Sequence, residues 1–409
     1  MESGWGVTGQ GPRWQFGLGR ENGLMFWAMI ALEASFASYF SFLPLYVAQL
    51  GANPTQVGLI MGFWGISRLC FLAPSGMLID RFPAVPLILV TRTLGIAGLL
   101  LAAIVPTWWL LPFSLLLTSA ANIAFPAISS LIAAAATNTG RARAFTLVYT
   151  VGPAIATVIM PLIAGEAAQA ISLRVTPLIA AAGATVSLVM FSRLRPTVQP
   201  KREGEIPATY REVLAHAPIR NVCALMAVTL IGMTIGATLL PNFLHDVHRL
   251  DYSQIGQLGS IAAVGSIILG VSFSRIKALS RPMTGITIAV GCTAATFAIL
   301  LGAASLPIFM LAYLLRGGYM VAWSLFSAAL GDVTPPRLYG RTFAVGEICG
   351  GLGMAIAPLL AGPLYNWQPR APLVVALAIC VPVVLLLGTV AYRKGSGGVR
   401  LQNEELSVA

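Results

Sequence analysis

Apolar residues run for about twenty positions at a time, then give way to short clusters of Pro, Gly and charged residues, and this rhythm recurs along the whole 409-residue chain. Each run is long enough to cross roughly 30 Å of hydrocarbon as a helix, which needs about 20 residues. With the polar clusters as punctuation the pattern predicts twelve spans, at approximately 24–49, 55–79, 85–105, 108–136, 144–166, 172–192, 219–243, 254–276, 283–303, 306–331, 342–365 and 371–392. An even number puts both ends of the chain on one side. The expected organisation is an all-α membrane protein: a segment 1–23, a six-helix bundle 24–193, a linker 194–218, a second six-helix bundle 219–392 and a tail 393–409.

The two halves repeat. Thr55-Gln56-Val57-Gly58 matches Ser253-Gln254-Ile255-Gly256, and Arg143-Ala144-Phe145 matches Arg341-Thr342-Phe343, both displaced by 198 positions (253 − 55 and 341 − 143). Pro161-Leu162-Ile163-Ala164-Gly165 meets Pro358-Leu359-Leu360-Ala361-Gly362 at an offset of 197. Six spans per half make the halves enter the membrane in the same direction, related by an axis along the membrane normal.

Composition agrees: 57% of residues are apolar and 10% charged, where a soluble domain carries about 25% charged residues. The net charge of +11 raises the question of nucleic acid, but no soluble domain is long enough to carry a basic face, and topology accounts for the charge. One set of connections carries 19 basic residues and the opposite set only Arg174, Arg249 and Arg370. By the positive-inside rule the termini are expected in the cytoplasm, in an inner (plasma) membrane. The linker is basic, and Thr209 to His216 is expected to form a short amphipathic helix on the membrane surface. The five cysteines all fall in apolar runs without a C-x-x-C pair and read as packing residues. Residues 1–22 show no signal-peptide pattern.

Gly76-Met77-Leu78-Ile79-Asp80-Arg81 resembles the first half of the G-x-x-x-D-R/K-x-G-R-R/K signature of the major facilitator superfamily, although Phe82-Pro83-Ala84-Val85 departs from its second half. The resemblance covers nearly all of the chain and implies that Asp80 latches the two halves in the outward-facing state, with Arg341 as its candidate partner. A carboxylate at a helix end accepts charge-assisted bonds from an Arg and from free N–H groups of a neighbouring helix start. Gly152-Pro153 in the fifth span resembles the centre of the G-P pattern of members that export solutes by antiport, with Val148, Ala156 and Thr157 in place of its flanking glycines. A packing kink is the plainer reading of the same two residues. Leu315-Arg316-Gly317-Gly318 resembles an Arg-plus-small-residue pattern that proton-coupled exporters carry in the fourth span, here displaced to the tenth.

Ionisable residues inside a span cost about 2.5–3.5 kcal/mol each on insertion scales, so they face a bundle interior or a wet cavity. Five occur here: Glu33, Arg68, Arg92, Arg316 and Glu347. Arg92 lies near enough to the cytoplasmic end to snorkel, and Glu347, a further substrate or proton candidate, lies near enough to Arg341 to form a structural pair with it instead. Glu33, Arg68 and Arg316 lie deeper, all three candidates for the substrate or proton, and the family lines its cavity with the first, fourth, seventh and tenth helices, two of which carry Glu33 and Arg316. The resemblance therefore favours both as substrate or proton residues, with Asn122, Tyr149, Asn242 and Trp323 adding polar and aromatic contacts. Burial would let Glu33 titrate in the working range; an ion pair with Arg68 is the alternative. Three Arg against two Glu hint at an anionic solute, whereas the Met and aromatic content points to an apolar one.

The leading function is secondary active, proton-coupled export of a small drug-like or amphipathic metabolite by alternating access. Proton-coupled uptake of a sugar, nucleoside or organic acid, and a transporter-like sensor that moves nothing, are the alternatives. The expected partners are a small solute, protons and the lipid bilayer. With His216, His245 and His248 the only histidines, no nucleophile–base pair suggests an enzyme. Nothing implies a cofactor, and His245-Asp246-Val247-His248 reads as an exposed polar loop rather than a metal site.

Overall fold

The structure, a computed structural model, describes residues 13–16, 18–72, 74–135, 141–195, 210–276 and 282–408; the side chains at 13, 76, 79, 80, 133, 134, 141, 142, 336, 340 and 390–408 lie outside the description. Among the described residues twelve helices are long and apolar enough to cross a membrane: α1 Gly19–Phe40, α2 Pro54–Leu72, α3 Ala84–Ile104, α4 Trp108–Ile132, α5 Arg143–Ala170, α6 Val175–Ser192, α7 Ala217–Asp246, α8 Tyr252–Arg275, α9 Pro282–Gly302, α10 Leu306–Val333, α11 Arg341–Trp367 and α12 Ala371–Thr389. The protein is an all-helical, multi-pass membrane protein. Two expected spans are shorter than the hydropathy suggests. The first breaks after Phe40 and resumes as Leu43–Gln49, and the second ends at Leu72 before a separate helix Ser75–Arg81.

The repeat has a local physical cause. Asn53 and Gln56 exchange side chain-to-backbone hydrogen bonds of 2.9 Å at the start of α2, and Asp251 and Gln254 do the same at the start of α8, at 3.1 and 2.7 Å. These are capping boxes, which satisfy N–H groups that a helix start leaves bare, and they stand 198 positions apart. Two residues earlier the chain turns through a left-handed backbone at Gly51 (φ 92°) and at Arg249 (φ 57°). The correspondence continues inside the helices. Ser114 Oγ donates to the Gly98 carbonyl at 2.8 Å between α4 and α3, and Thr296 Oγ1 donates to the Ala312 carbonyl at 2.9 Å between α9 and α10. The same two positions, 98/114 and 296/312, are joined in each half, with donor and acceptor exchanged.

Contacts divide the chain into two compact units, Met1–Leu43 with Ser67–Gly204, and Pro44–Ile66 with Glu205–Ala409. In the first, α1 packs along α5 and α6, and α3 along α4 and α6. Its core holds Met25, Phe26, Met29, Ile88, Ile128 and Phe191, and Ser187 Oγ donates across it to the Ala28 carbonyl at 2.8 Å. In the second, α7 packs on α11 and α12, and α9 on α10 and α12, around Met226, Leu230, Phe273 and Phe326. The expected linker helix is present as Tyr210–Ala215, and its Val213 is buried in that same core.

Segment 44–66 joins the second unit because α2 lies backbone-to-backbone on α11. A Cβ at Gly58 would come within 2.4 Å of the Pro358 carbonyl oxygen, one at Gly62 within 2.6 Å of Leu359, and one at Gly65 within 2.4 Å of the Met354 carbonyl oxygen. Residues 58, 62 and 65 share one helical face. Small residues at such spacing let membrane helices approach until their backbones touch, which maximises dispersion contacts where lipid offers no hydrophobic drive.

Candidate functional site

In the first unit Glu33, Asn122, Tyr149, Gly152 and Pro153 lie on α1, α4 and α5, and α1 packs against both of the others. Pro153 has no N–H to donate to the Tyr149 carbonyl four residues back, and the helix adapts by widening. Leu147–Val151 forms a π-helical turn, with the Gly152 N–H bonded to the Leu147 carbonyl. Such turns are frequent at functional sites. Gly152 lets α1 close on this bend, since a Cβ there would lie 3.0 Å from Ile30 and 3.1 Å from Phe26. The plainer of the two readings of Gly152-Pro153, a packing feature, has this local cause.

One turn beyond, Thr157 Oγ1 lies 2.9 Å from the Pro153 carbonyl oxygen and 3.4 Å from Glu33 Oε1. The partner the structure gives Glu33 is therefore a hydroxyl on α5. A threonine hydroxyl has one proton, and the shorter contact claims it for Pro153. Protonated Glu33 would donate to Thr157 Oγ1 and complete a chain of bonds, whereas ionised Glu33 competes for the proton.

Tyr149, inside the π turn, hydrogen-bonds Ser129 through its hydroxyl at 2.8 Å and stacks on Phe145. Behind it lies Arg92, whose guanidinium sits 5.5 Å from the Phe125 ring centroid. Arg92 is 4% exposed, which overturns the snorkelling expectation: α3 turns this side chain inward, against α4. Asn122 sits in a 3₁₀ interruption of α4, Ala121–Ile123, and donates from Nδ2 to the Ser119 carbonyl at 2.9 Å. Arg68 is half-buried on α2. Gly76 and Asp80, with Arg81, fall in the helix Ser75–Arg81; the side chains of the first two lie outside the described residues, and Arg81 is exposed.

In the second unit α10 is interrupted at Gly317, the residue after Arg316. The two glycines have packing reasons. A Cβ at Gly317 would meet the Ser266 nitrogen of α8 at 2.2 Å, and one at Gly318 the Ala289 carbonyl oxygen of α9 at 2.4 Å. Arg316 lies over the Tyr313 ring at 5.2 Å, and a cation at a helix C-terminus is favoured by the helix dipole. Trp323 packs on α11 where Gly350 leaves room, a Cβ there lying 2.6 Å from the ring. Arg341 stacks at 4.5 Å on Tyr210 of the linker helix. Asn242 is 4% exposed and donates from Nδ2 to the Pro44 carbonyl at 3.3 Å.

One pair of candidates, Tyr149 and Glu347, are repeat partners, and their neighbours match as well, which residue-by-residue reading missed. Adding 198 takes Phe125 to Trp323, Ser129 to Ser327 and Tyr149 to Glu347. Both serines donate back one turn, Ser129 to the Phe125 carbonyl at 3.1 Å and Ser327 to the Trp323 carbonyl at 3.3 Å. Each half therefore presents an aromatic ring, a serine and a polar residue at matching positions on its fourth and fifth helices.

In the His245–His248 segment Asp246 and Val247 are exposed and the two histidines half-buried. His245 Nδ1 lies 3.0 Å from the Leu250 carbonyl oxygen, and Asp246 Oδ2 accepts from the Tyr365 hydroxyl at 2.9 Å. His248 packs edge-on between Phe243 and Phe309. Burial, with the Arg370 guanidinium as a lesser cause, holds His248 below the ordinary imidazole range. No group of metal-ligating side chains occurs among the described residues.

Among solved structures, a peptide transporter POT in complex with sulfate superimposes with a TM-score of 0.74 at 18% identity, covering 91% of this chain and 94% of that one. The nucleoside transporter NupG gives 0.74 at 14% identity over 90% and 99%. A bacterial homologue of the human lysosomal transporter Spinster, in an inward-facing and occupied conformation, gives 0.69 at 16% identity over 94% and 96%. At these identities the likeness is one of fold. No curated protein sequence matches the chain. The sequence does match the model of the Major Facilitator Superfamily, over residues 25–320 and 222–406, and the chain belongs to that superfamily of membrane transporters.

Proposed function

We propose that this chain is a proton-coupled exporter of a small amphipathic or drug-like solute, working by alternating access in the plasma membrane with both termini in the cytoplasm. The observation that carries the reading is the Glu33–Thr157–Pro153 arrangement. A carboxyl group in the middle of α1 meets a hydroxyl whose own proton is already directed at a backbone carbonyl. Gaining a proton completes that chain of bonds, and losing it leaves a carboxylate that competes with the Pro153 carbonyl for the Thr157 proton. Charge on Glu33 is thereby tied to the α1–α5 contact beside the π turn of α5. Coupling needs a link of that kind, because a ligand shifts a conformational equilibrium only by its differential affinity for the two states. The 19-to-3 distribution of basic residues supports the orientation.

The test is proton movement in vesicles reconstituted with purified protein, loaded with one candidate solute at a time and carrying a trapped pH dye. Solute leaving through an antiporter draws protons inward, acidifying the lumen. Solute leaving with protons would mark an uptake carrier instead. Absence of solute-dependent proton movement across a broad panel would overturn the coupled-transport reading.

A further inference from the structure

Arg92 presents an unanswered charge inside the first unit. It is 4% exposed, yet its Nε and Nη2 atoms have no hydrogen-bond partner among the described residues. These two N–H groups point the same way along one edge of the guanidinium plane, the edge that grips a carboxylate or phosphate with two parallel bonds. A buried charge without a partner is strongly unfavourable. The remaining contacts do not neutralise it: the Phe125 ring offers a cation–π face at 5.5 Å, and the Tyr149 hydroxyl is bonded to Ser129.

We propose that the Nε–Nη2 edge of Arg92, backed by Phe125 and fronted by Tyr149, is a binding site for an oxyanion, the carboxylate or phosphate group of the transported solute. Phe125, Ser129 and Tyr149 are each only half-buried, so the niche is closed by side chains that have room to turn. Tyr149 sits in the π turn, where the backbone ladder is already widened, and its hydroxyl can turn from Ser129 to donate to the incoming anion. The repeat-related position of Arg92 is Val290, so the cation belongs to one half alone. The inference rests on the transporter reading for the identity of the ligand as solute. The binding test below needs no transport, so the two fail separately.

Thermal unfolding of the purified full-length protein in phosphatidylcholine nanodiscs would be followed with sodium benzoate, sodium phosphate, benzamide and sodium chloride at matched ionic strength. Benzoate or phosphate should raise the melting temperature in a saturable way, while benzamide and chloride should not. Arg92→Met should abolish the response and leave the anion-free protein at least as stable as the wild type. Arg92→Lys, which keeps the charge and loses the fork, should weaken the anion at least tenfold, as Tyr149→Phe should do by a smaller factor. In nanodiscs containing phosphatidylglycerol, an unchanged benzoate response supports a solute site. A wild-type-specific stabilisation by that lipid, competed away by benzoate, would reassign the oxyanion to a lipid headgroup and overturn the solute assignment. No anion response beyond chloride, an equal response in Arg92→Met, or marked loss of anion-free stability in Arg92→Met would overturn the site itself.

Discussion

Replacing Gly65 by alanine should loosen the packing of α2 on α11, and the size of the effect follows from the contact. The added Cβ would lie 2.4 Å from the Met354 carbonyl oxygen, 2.6 Å from its carbon and 2.7 Å from the Ala355 nitrogen. All three are backbone atoms, so no side chain can swing aside, and the helices must part by about 1 Å to restore ordinary contact. Forcing extra volume into a packed interior costs about 1–3 kcal/mol. Alanine is intrinsically the better helix former by about 1 kcal/mol, so the net loss should be about 0–2 kcal/mol, which places the variant about 1–3 kcal/mol below a glycine-to-alanine change that meets no contact. Gly270 in α8 and Gly291 in α9 are the controls, because a Cβ at either meets nothing within 4 Å; Gly270→Ala and Gly291→Ala should be neutral or slightly stabilising. Thermal unfolding is readable through a thiol-reactive dye, since Cys223 and Cys380 are buried and become reactive only as the helices separate. If Gly65→Ala proves as stable as the two controls, backbone contact is not what holds α2 against α11.

Three other outcomes are expected. Arg249, exposed and at φ 57°, occupies the position that glycine holds at Gly51 in the first half; Arg249→Gly should stabilise the α7–α8 turn by about 0.5–1 kcal/mol, measured in the same thermal assay. Because His248 has its folded-state pKa lowered by burial and by Arg370, its contribution is present above the ordinary imidazole value of about 6.5 and is lost as pH falls through the window below it. Stability should therefore drop on acidification from about pH 7 to pH 5, and a His248→Phe variant should show a shallower drop; parallel curves would refute it. Single cysteines placed at Arg193 and Arg370, in a background without the native cysteines, should react with an impermeant thiol reagent from opposite faces of the membrane, and reaction of both from one face would refute the orientation.

The helices were legible because hydrocarbon thickness fixes their length and leaves charge clusters only at their ends. The repeat was legible too, but its cause was hidden. Gln56 and Gln254 match, while the residues they cap, Asn53 and Asp251, differ in name and share only a short side-chain oxygen. Rotation about each helix axis was the weaker inference. Lipid and protein core are both apolar, so a membrane helix gives little periodic signal of which face is buried, and Arg92 was assigned by its depth when its facing decided its fate. The niche pairs were open to arithmetic at the offset of 198, but Tyr149 and Glu347 differ in chemistry, as do Arg92 and Val290, so identity did not draw attention to them. The α2–α11 contact is written in Gly58, Gly62 and Gly65, whose spacing marks a close helix contact without naming its partner.

Exchange and accumulation by a Glu33→Gln variant test the central claim, proton-coupled transport through the α1–α5 contact. Glutamine keeps the size of the side chain and donates to Thr157 as a protonated carboxyl does, but it does not titrate. In vesicles carrying a transported solute, the account predicts that the variant exchanges labelled for unlabelled solute at close to the wild-type rate and fails to build a gradient when a pH difference is imposed. A stable variant that accumulates solute against its gradient as well as the wild type, driven by the same pH difference, would contradict it.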